Sequence, residues 1–261
     1  MKSIEARLSI VGAGPGDPDL ITLKAIKALE SADIVLYDAL ANEVLLDYAP
    51  ADSLKIFVGK RAGAHCFRQE EINEMIVNWA NSYGHVVRLK GGDPYVFGRG
   101  HEELEYAQKH GIATTYIPGI SSAMAVPGLC GIPLTKRGVN ESFWVVTGTL
   151  KDHSTAKDLF FAAQSSATVV ILMGINKLRE IVSLFTEYRG MEEPICIIQN
   201  GSKENERFIS GNLKNILSLQ EKERLASPAV IVIGKVVTEK RINKLLGQEF
   251  RIAAVEKVSV I

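Results

Sequence analysis

The sequence predicts an α/β fold made of two successive α/β domains, the first on a mostly parallel sheet and the second on a mixed sheet. Three features of the sequence predict it. Short apolar runs alternate with stretches of helical periodicity through the first half, as strand–helix–strand units require. The pattern pauses around Pro118-Gly119-Ile120, and Pro127 to Gly138 is rich in proline and glycine. A second alternating series then follows, with two runs too close together for a helical crossover. A chain of 261 residues has room for two such domains. They are drawn at 1–118 and 119–246, with a charged tail of no assignable role over 247–261.

Strands are expected first at Leu8–Gly12, Ile34–Tyr37, Lys55–Val58, Val86–Lys90 and Thr114–Ile117. Each is a short run of β-branched or large apolar residues bounded by turn formers. Helices are expected between them at Thr22–Ser31, Asn42–Tyr48, Gln69–Ser82 and His101–His110. In the third helix Ile72, Met75, Ile76 and Trp79 fall on one stripe, the spacing of a buried face. The second series puts strands at Phe143–Thr147, Thr168–Leu172, Pro194–Gln199, Arg207–Ser210 and Ala229–Ile233. Helices at Ala156–Ala163, Lys177–Tyr188 and Leu213–Gln220 separate most of these strands. Arg207–Ser210 follows its predecessor too closely for a crossover and is expected to be antiparallel.

Composition excludes several functional classes. Thirty basic residues balance thirty acidic ones, so no overall field favours nucleic acid or an anionic membrane. Three scattered cysteines, Cys66, Cys130 and Cys196, provide neither a disulfide framework nor a zinc cluster and suit a reducing cytoplasm. The five histidines are dispersed too, and His101-Glu102-Glu103-Leu104-Glu105 lacks the second histidine of a zinc helix. No metal site, nucleophile elbow or phosphate-binding P-loop is expected.

The informative residues follow the first four strands, where open α/β sheets bind ligands. These loops read Gly12-Ala13-Gly14-Pro15-Gly16-Asp17-Pro18, then Asp38, then Gly59-Lys60-Arg61-Ala62-Gly63, then Gly91-Gly92-Asp93-Pro94. The first is not a dinucleotide fingerprint: Asp17 stands where the third glycine belongs and would face a pyrophosphate, while Pro15 removes a backbone donor. The glycines still permit close backbone approach to an uncharged or zwitterionic ligand. Ser121-Ser122 fits either a helix cap or a ligand contact. Lys55, Lys60, Arg61, His65 and Arg68 form an acid-free basic stretch, and Arg88, Lys90, Arg99, His101, Lys136 and Arg137 lie in or beside other loops. Such charges are either a solvated surface or receptors for the carboxylates of a polyanionic small molecule.

These motifs resemble the tetrapyrrole methylase family. The resemblance runs through Val11–Pro18, Val35–Asp38, Val58–Gly63, Arg88–Gly100, Pro118–Ala123, Gly131–Thr135, Met173-Gly174 and Ser227–Ala229, in order, over about residues 8–236. Gly59-Lys60-Arg61 and the Arg88–Gly100 block point to the members that methylate uroporphyrinogen III. The resemblance implies two α/β domains with the active site in the cleft between them, a cytoplasmic homodimer, and S-adenosylmethionine as methyl donor, leaving as S-adenosylhomocysteine. It implies methylation of uroporphyrinogen III at C2 and C7, giving precorrin-2 for sirohaem or cobalamin. Carried over residue by residue, Pro15, Gly91, Gly92, Asp93, Val96, Ser121, Ser122, Met173, Gly201 and Ala229 would hold the cofactor. Asp38 matches the proton acceptor and Lys60 the proton donor; Arg61, Arg99, Arg137 and Asn176 would meet the substrate, which carries eight carboxylates. Tyr95, His101, Lys136 and Thr149 depart from the family pattern near the substrate loops. A later corrin intermediate or a non-tetrapyrrole acceptor therefore stays open as the substrate, as does a non-catalytic binding module.

Overall fold

The computed structural model describes residues 5–59, 67–150, 154 and 156–239. Lys60, Arg61, His65, Cys66 and the tail over 247–261 fall outside these residues.

The first sheet comprises β1 (Arg7–Gly12), β2 (Ile34–Tyr37), β3 (Leu54–Phe57), β4 (His85–Lys90) and β5 (Ala113–Ile117). Their spatial order is β3-β2-β4-β1-β5 and every pair is parallel. Both faces are covered, which explains why the central strands read as nearly continuous apolar runs. One face buries Val11, Val35, Val87 and Leu89 with Ala25, Ala28 and Leu29 of α1 (Leu23–Glu30). The other buries Leu8, Ile10, Ile34, Leu36 and Val86 with Ile72, Ile76 and Ala80 of α2 (Gln69–Tyr83) and Leu104 and Ala107 of α3 (Gly100–Lys109). Met75 and Trp79 complete the stripe from the partly buried edge of that cluster.

The topology places a candidate site. After β1 the chain enters α1 on one face; after the adjacent β4 it enters α3 on the other. The carboxyl ends of β1 and β4 therefore flank a topological switch point, where open α/β sheets form their ligand crevice. The loops emerging there are Gly12–Pro18 and Gly91–Pro94.

A helix absent from the sequence expectation, α4 (Ser122–Leu129), follows β5 and contains Pro127. The segment Asn42–Tyr48 forms a 3₁₀ helix over Glu43–Tyr48, capped by the Asn42 side chain accepting from Val44 N at 3.1 Å. Residues through Ala125, together with Asn200–Glu206, group with the first unit, whereas the proline–glycine pattern suggested a break at Pro118. The backbone at Gly119 packs directly on Gly12 and Gly92, which keeps this stretch with the first sheet.

The second unit carries β6 (Phe143–Thr147), β7 (Thr168–Leu172), β8 (Pro194–Gln199), β9 (Arg207–Asn212) and β10 (Ala229–Ile233), in the order β6-β7-β10-β8-β9. Only β6–β7 is parallel, and β9 pairs antiparallel with β8 as its short connection requires. Ile171, Ile197 and Ile231 pack with Leu159 of α5 (Asp158–Gln164), Phe185 of α6 (Leu178–Arg189) and Ile216 of α7 (Ile216–Glu223). Among the described residues no helix is long and apolar enough to cross a membrane.

Candidate active site

Glycine chemistry shapes the switch point. Gly14 and Gly92 form a reciprocal bridge, Gly14 N donating to Gly92 O at 3.2 Å and Gly92 N to Gly14 O at 2.7 Å. Both have positive φ, 79° and 66°, a conformation that glycine adopts without steric cost. A Cβ on Gly119 would overlap Gly92 O and stand 2.7 Å from Gly12 Cα, so three backbones meet with no room for side chains. Gly92 differs from its neighbours. The nearest atom to a Cβ there is Ser122 N, at 4.0 Å, leaving an open ledge of peptide groups at the sheet edge. Such a ledge fits the zwitterionic end of an adenosyl amino acid, which needs close backbone approach and few side-chain charges.

Asp93, expected to contact a ligand, is buried, and its carboxylate is spent inside the protein. Oδ1 accepts from Tyr95 N at 2.8 Å and Tyr116 Oη at 2.9 Å; Oδ2 accepts from Tyr116 Oη at 2.7 Å and Gly119 N at 3.1 Å. It thus ties the loop after β4 to the end of β5. Burial and the neighbouring Asp93 charge raise the Tyr116 pKa, so the phenol remains a donor. Tyr95 stacks on Tyr116 with ring centroids 3.9 Å apart. Val96, beside them, is exposed, Ser121 is buried at the start of α4, and Pro15 and Ser122 are half-buried.

Asp38 directly follows β2, half-buried at the same edge. Its Oδ1 accepts from Leu40 N at 3.2 Å and Gly91 N at 3.4 Å, and Oδ2 lies 3.6 Å from Arg88 Nη2. Arg88 and Lys90, grouped by the sequence with basic loop residues, are instead 3% and 5% exposed on the face covered by α2 and α3. They converge on Glu103, itself fully buried: Lys90 Nζ to Oε1 at 2.9 Å and Arg88 Nε to the same oxygen at 3.4 Å. Burial pushes the Glu103 carboxyl up, but Arg88 and Lys90 outweigh it and hold the group below its ordinary 4.5. Burial, then Arg88, pulls Lys90 down against the attraction of Glu103. The sequence did carry a signal for Glu103: with Gly100, Leu104 and Ala107 it completes the buried i, i+3, i+4, i+7 stripe of α3.

The other expected residues belong to other elements of the chain. Arg99 is exposed at the start of α3 and forks onto Glu102, with Nη2 to Oε2 at 2.5 Å. Met173 (φ 55°) and Asn176 follow β7 in the second unit, and Thr149 Oγ1 donates to Met173 O at 2.9 Å. Ala229 opens β10 opposite Gln199, at the sheet edge where β7 ends. Arg137 is an exposed loop residue of the same unit, and Gly201 lies in the segment grouped with the first. Lys60 and Arg61 lie outside the described residues.

Residues 7–217 match the family model described as tetrapyrrole (corrin/porphyrin) methylases. The chain belongs to this family. Among tetrapyrrole methylases it is 48% identical over 233 residues to the uroporphyrinogen-III C-methyltransferase of Methanocaldococcus jannaschii, covering 88% of this chain and 96% of that protein. A siroheme synthase of Psychrobacter arcticus is 44% identical over 230 residues, but the match spans only 42% of that longer protein. The fold matches the Thermus thermophilus uroporphyrin-III C-methyltransferase crystallised with S-adenosylhomocysteine, at a TM-score of 0.77 and 37% identity, over 89% of this chain and 99% of that one.

Proposed function

We propose that this tetrapyrrole methylase is an S-adenosylmethionine-dependent C-methyltransferase that converts uroporphyrinogen III to precorrin-2 by methylation at C2 and C7. The observation carrying this reading is the 48% identity over nearly the whole of both chains to a protein of that activity. The open glycine ledge at the switch point supports it independently. When bound, the sulfonium cofactor supplies an already activated methyl group. The protein's task is then alignment and proton handling. In this reading Gly91 and Gly92 offer peptide groups to the cofactor, alongside Pro15, Val96, Ser121, Ser122, Met173, Gly201 and Ala229. The Asp93 carboxylate, already saturated, holds the ledge in shape through Tyr116 and Gly119 N. Asp38 accepts the proton lost from the substrate and Lys60 returns one, while Arg61, Arg99, Arg137 and Asn176 meet the substrate.

Anaerobic incubation with uroporphyrinogen III and S-adenosylmethionine, followed by mass spectrometry, tests the assignment. A product two methyl groups heavier than substrate is expected; unchanged substrate, with turnover of a later corrin intermediate, would reject it. A cytoplasmic homodimer goes with this reading, and Phe143, Trp144 and Phe161, exposed on and beside the edge strand β6, support self-association. Sedimentation of the purified chain as a monomer would remove the dimer from the proposal.

A further inference from the structure

Arg88 is an unusual residue to find under a parallel sheet. Its guanidinium is fixed on every side: Nη1 donates to Leu89 O at 3.1 Å and Leu36 O at 3.4 Å, and Nε faces Glu103 Oε1 at 3.4 Å. The remaining nitrogen, Nη2, points to the Asp38 carboxylate. Glu103 is anchored in turn, because Lys90 Nζ and Gln69 Nε2 meet the same Oε1 at 2.9 and 3.0 Å. Among the described residues its Oε2 has no hydrogen-bond partner, so the carboxylate serves as a one-oxygen hub. Two buried cations face one buried anion, and the fourth charge, Asp38, sits at the half-exposed mouth of the cluster. Buried charges are costly unless each has a partner, so the cluster needs the Asp38 carboxylate facing inward. A fold needing only stability would fill this space with apolar groups.

We propose that Arg88, locked by Glu103 and the Leu36 and Leu89 carbonyls, is a positioning residue that holds the Asp38 carboxylate at the sheet edge in the orientation from which it takes the substrate proton. This rests on Asp38 being the proton acceptor. Arg88 acts through Asp38 and touches no ligand. Replacing Arg88 by Met removes one cation but leaves the fully buried Glu103 paired with Lys90, while Asp38, half-exposed, keeps water and the Leu40 and Gly91 amides as partners. Lysine at 88 keeps the charge but cannot serve two carbonyls and two carboxylates at once.

The test is a double-mutant cycle on the full chain, read as kcat and KM for uroporphyrinogen III together with S-adenosylhomocysteine affinity. Arg88→Met is expected to lower kcat about 100-fold, the scale of an ångström-sized misplacement. KM and S-adenosylhomocysteine affinity should stay near those of the parent, and Arg88→Lys should recover part of kcat. In an Asp38→Asn background Arg88→Met should change kcat by no more than about twofold, the ordinary error of additivity. Equal fold-losses in both backgrounds, or a raised KM with unchanged kcat, would show that Arg88 acts on its own or on substrate, and would overturn the proposal. An Asp38→Asn enzyme with parental kcat would sink the proton-acceptor reading itself, a different result from either. Should Arg88→Met fail to fold by thermal melting, Arg88→Lys carries the same cycle.

Discussion

His85 shows how one residue sets a pH limit far from the chemistry. It opens β4 at the end of the sheet opposite the ligand loops, with Nδ1 2.9 Å from Ser31 O and Nε2 2.8 Å from Ser9 Oγ. A carbonyl only accepts, so the proton sits on Nδ1 and Nε2 accepts from the serine hydroxyl. Protonating Nε2 would replace that bond with a buried charge. Burial accordingly pulls the imidazole below its ordinary 6.5, aided by Arg7 and opposed by the Ser31 carbonyl and Asp33. The unfolded chain therefore takes up this proton at a higher pH than the folded one. Stability from His85 is complete above about pH 6.5 and is lost as pH falls through the lowered folded value. Thermal midpoints between pH 5 and 8 should drop on the acid side for the parent and drop less for His85→Gln. Identical acid limbs for the two proteins would remove His85 as the cause.

Among the elements, strands of strong apolar character were legible down to single residues: Ile34–Tyr37, Phe143–Thr147 and Ala229–Ile233 stand where periodicity puts them. The glycine loops after β1 and β4, at the carboxyl ends of adjacent strands, were legible as well. The purpose of individual polar residues was not. Arg88 and Lys90 look like loop cations until the register of β4 turns them inward, and α4 was hidden because Pro127 reads as a breaker. Gly119 was noted as part of a pause and of a family motif, with no packing role, yet its lack of a side chain lets three loops meet. Gly119→Ala forces a Cβ against backbone of both Gly12 and Gly92, a form of overpacking that typically costs about 1–3 kcal/mol. A lowered melting temperature and weakened S-adenosylhomocysteine binding are expected together. Gly128 in α4 has nothing within 4 Å of a Cβ, so Gly128→Ala should keep affinity and gain up to about 1 kcal/mol from helix propensity. Equal behaviour of the two variants in calorimetry would mean that the three-backbone contact is not what holds the ledge.

On the scale of the whole molecule, thirty positive and thirty negative charges cancel, so long-range steering cannot account for recognition of a substrate with eight carboxylates. Any salt dependence must come from local cations. Buried Arg88 and Lys90 are already partnered, which leaves exposed residues such as Arg99 and Arg137 for the task. Arg99 holds Glu102 in an exposed pair, an arrangement that adds little stability and leaves the guanidinium ready to exchange partners. Arg99→Met and Arg137→Met should therefore leave the melting temperature nearly unchanged, since Met keeps much of the stem's packing. Each should remove a charge-assisted contact worth about 1.5–3 kcal/mol, or roughly 10- to 150-fold in substrate affinity. S-adenosylhomocysteine affinity should not move, because in the proposed site glycine backbone and not charge receives the cofactor. Raising ionic strength should weaken tetrapyrrole binding to the parent and weaken it less in the variants. Titrations in which both variants bind uroporphyrinogen III as the parent does, with the same salt slope, would leave these arginines as surface charges and put recognition of the carboxylates elsewhere in the chain.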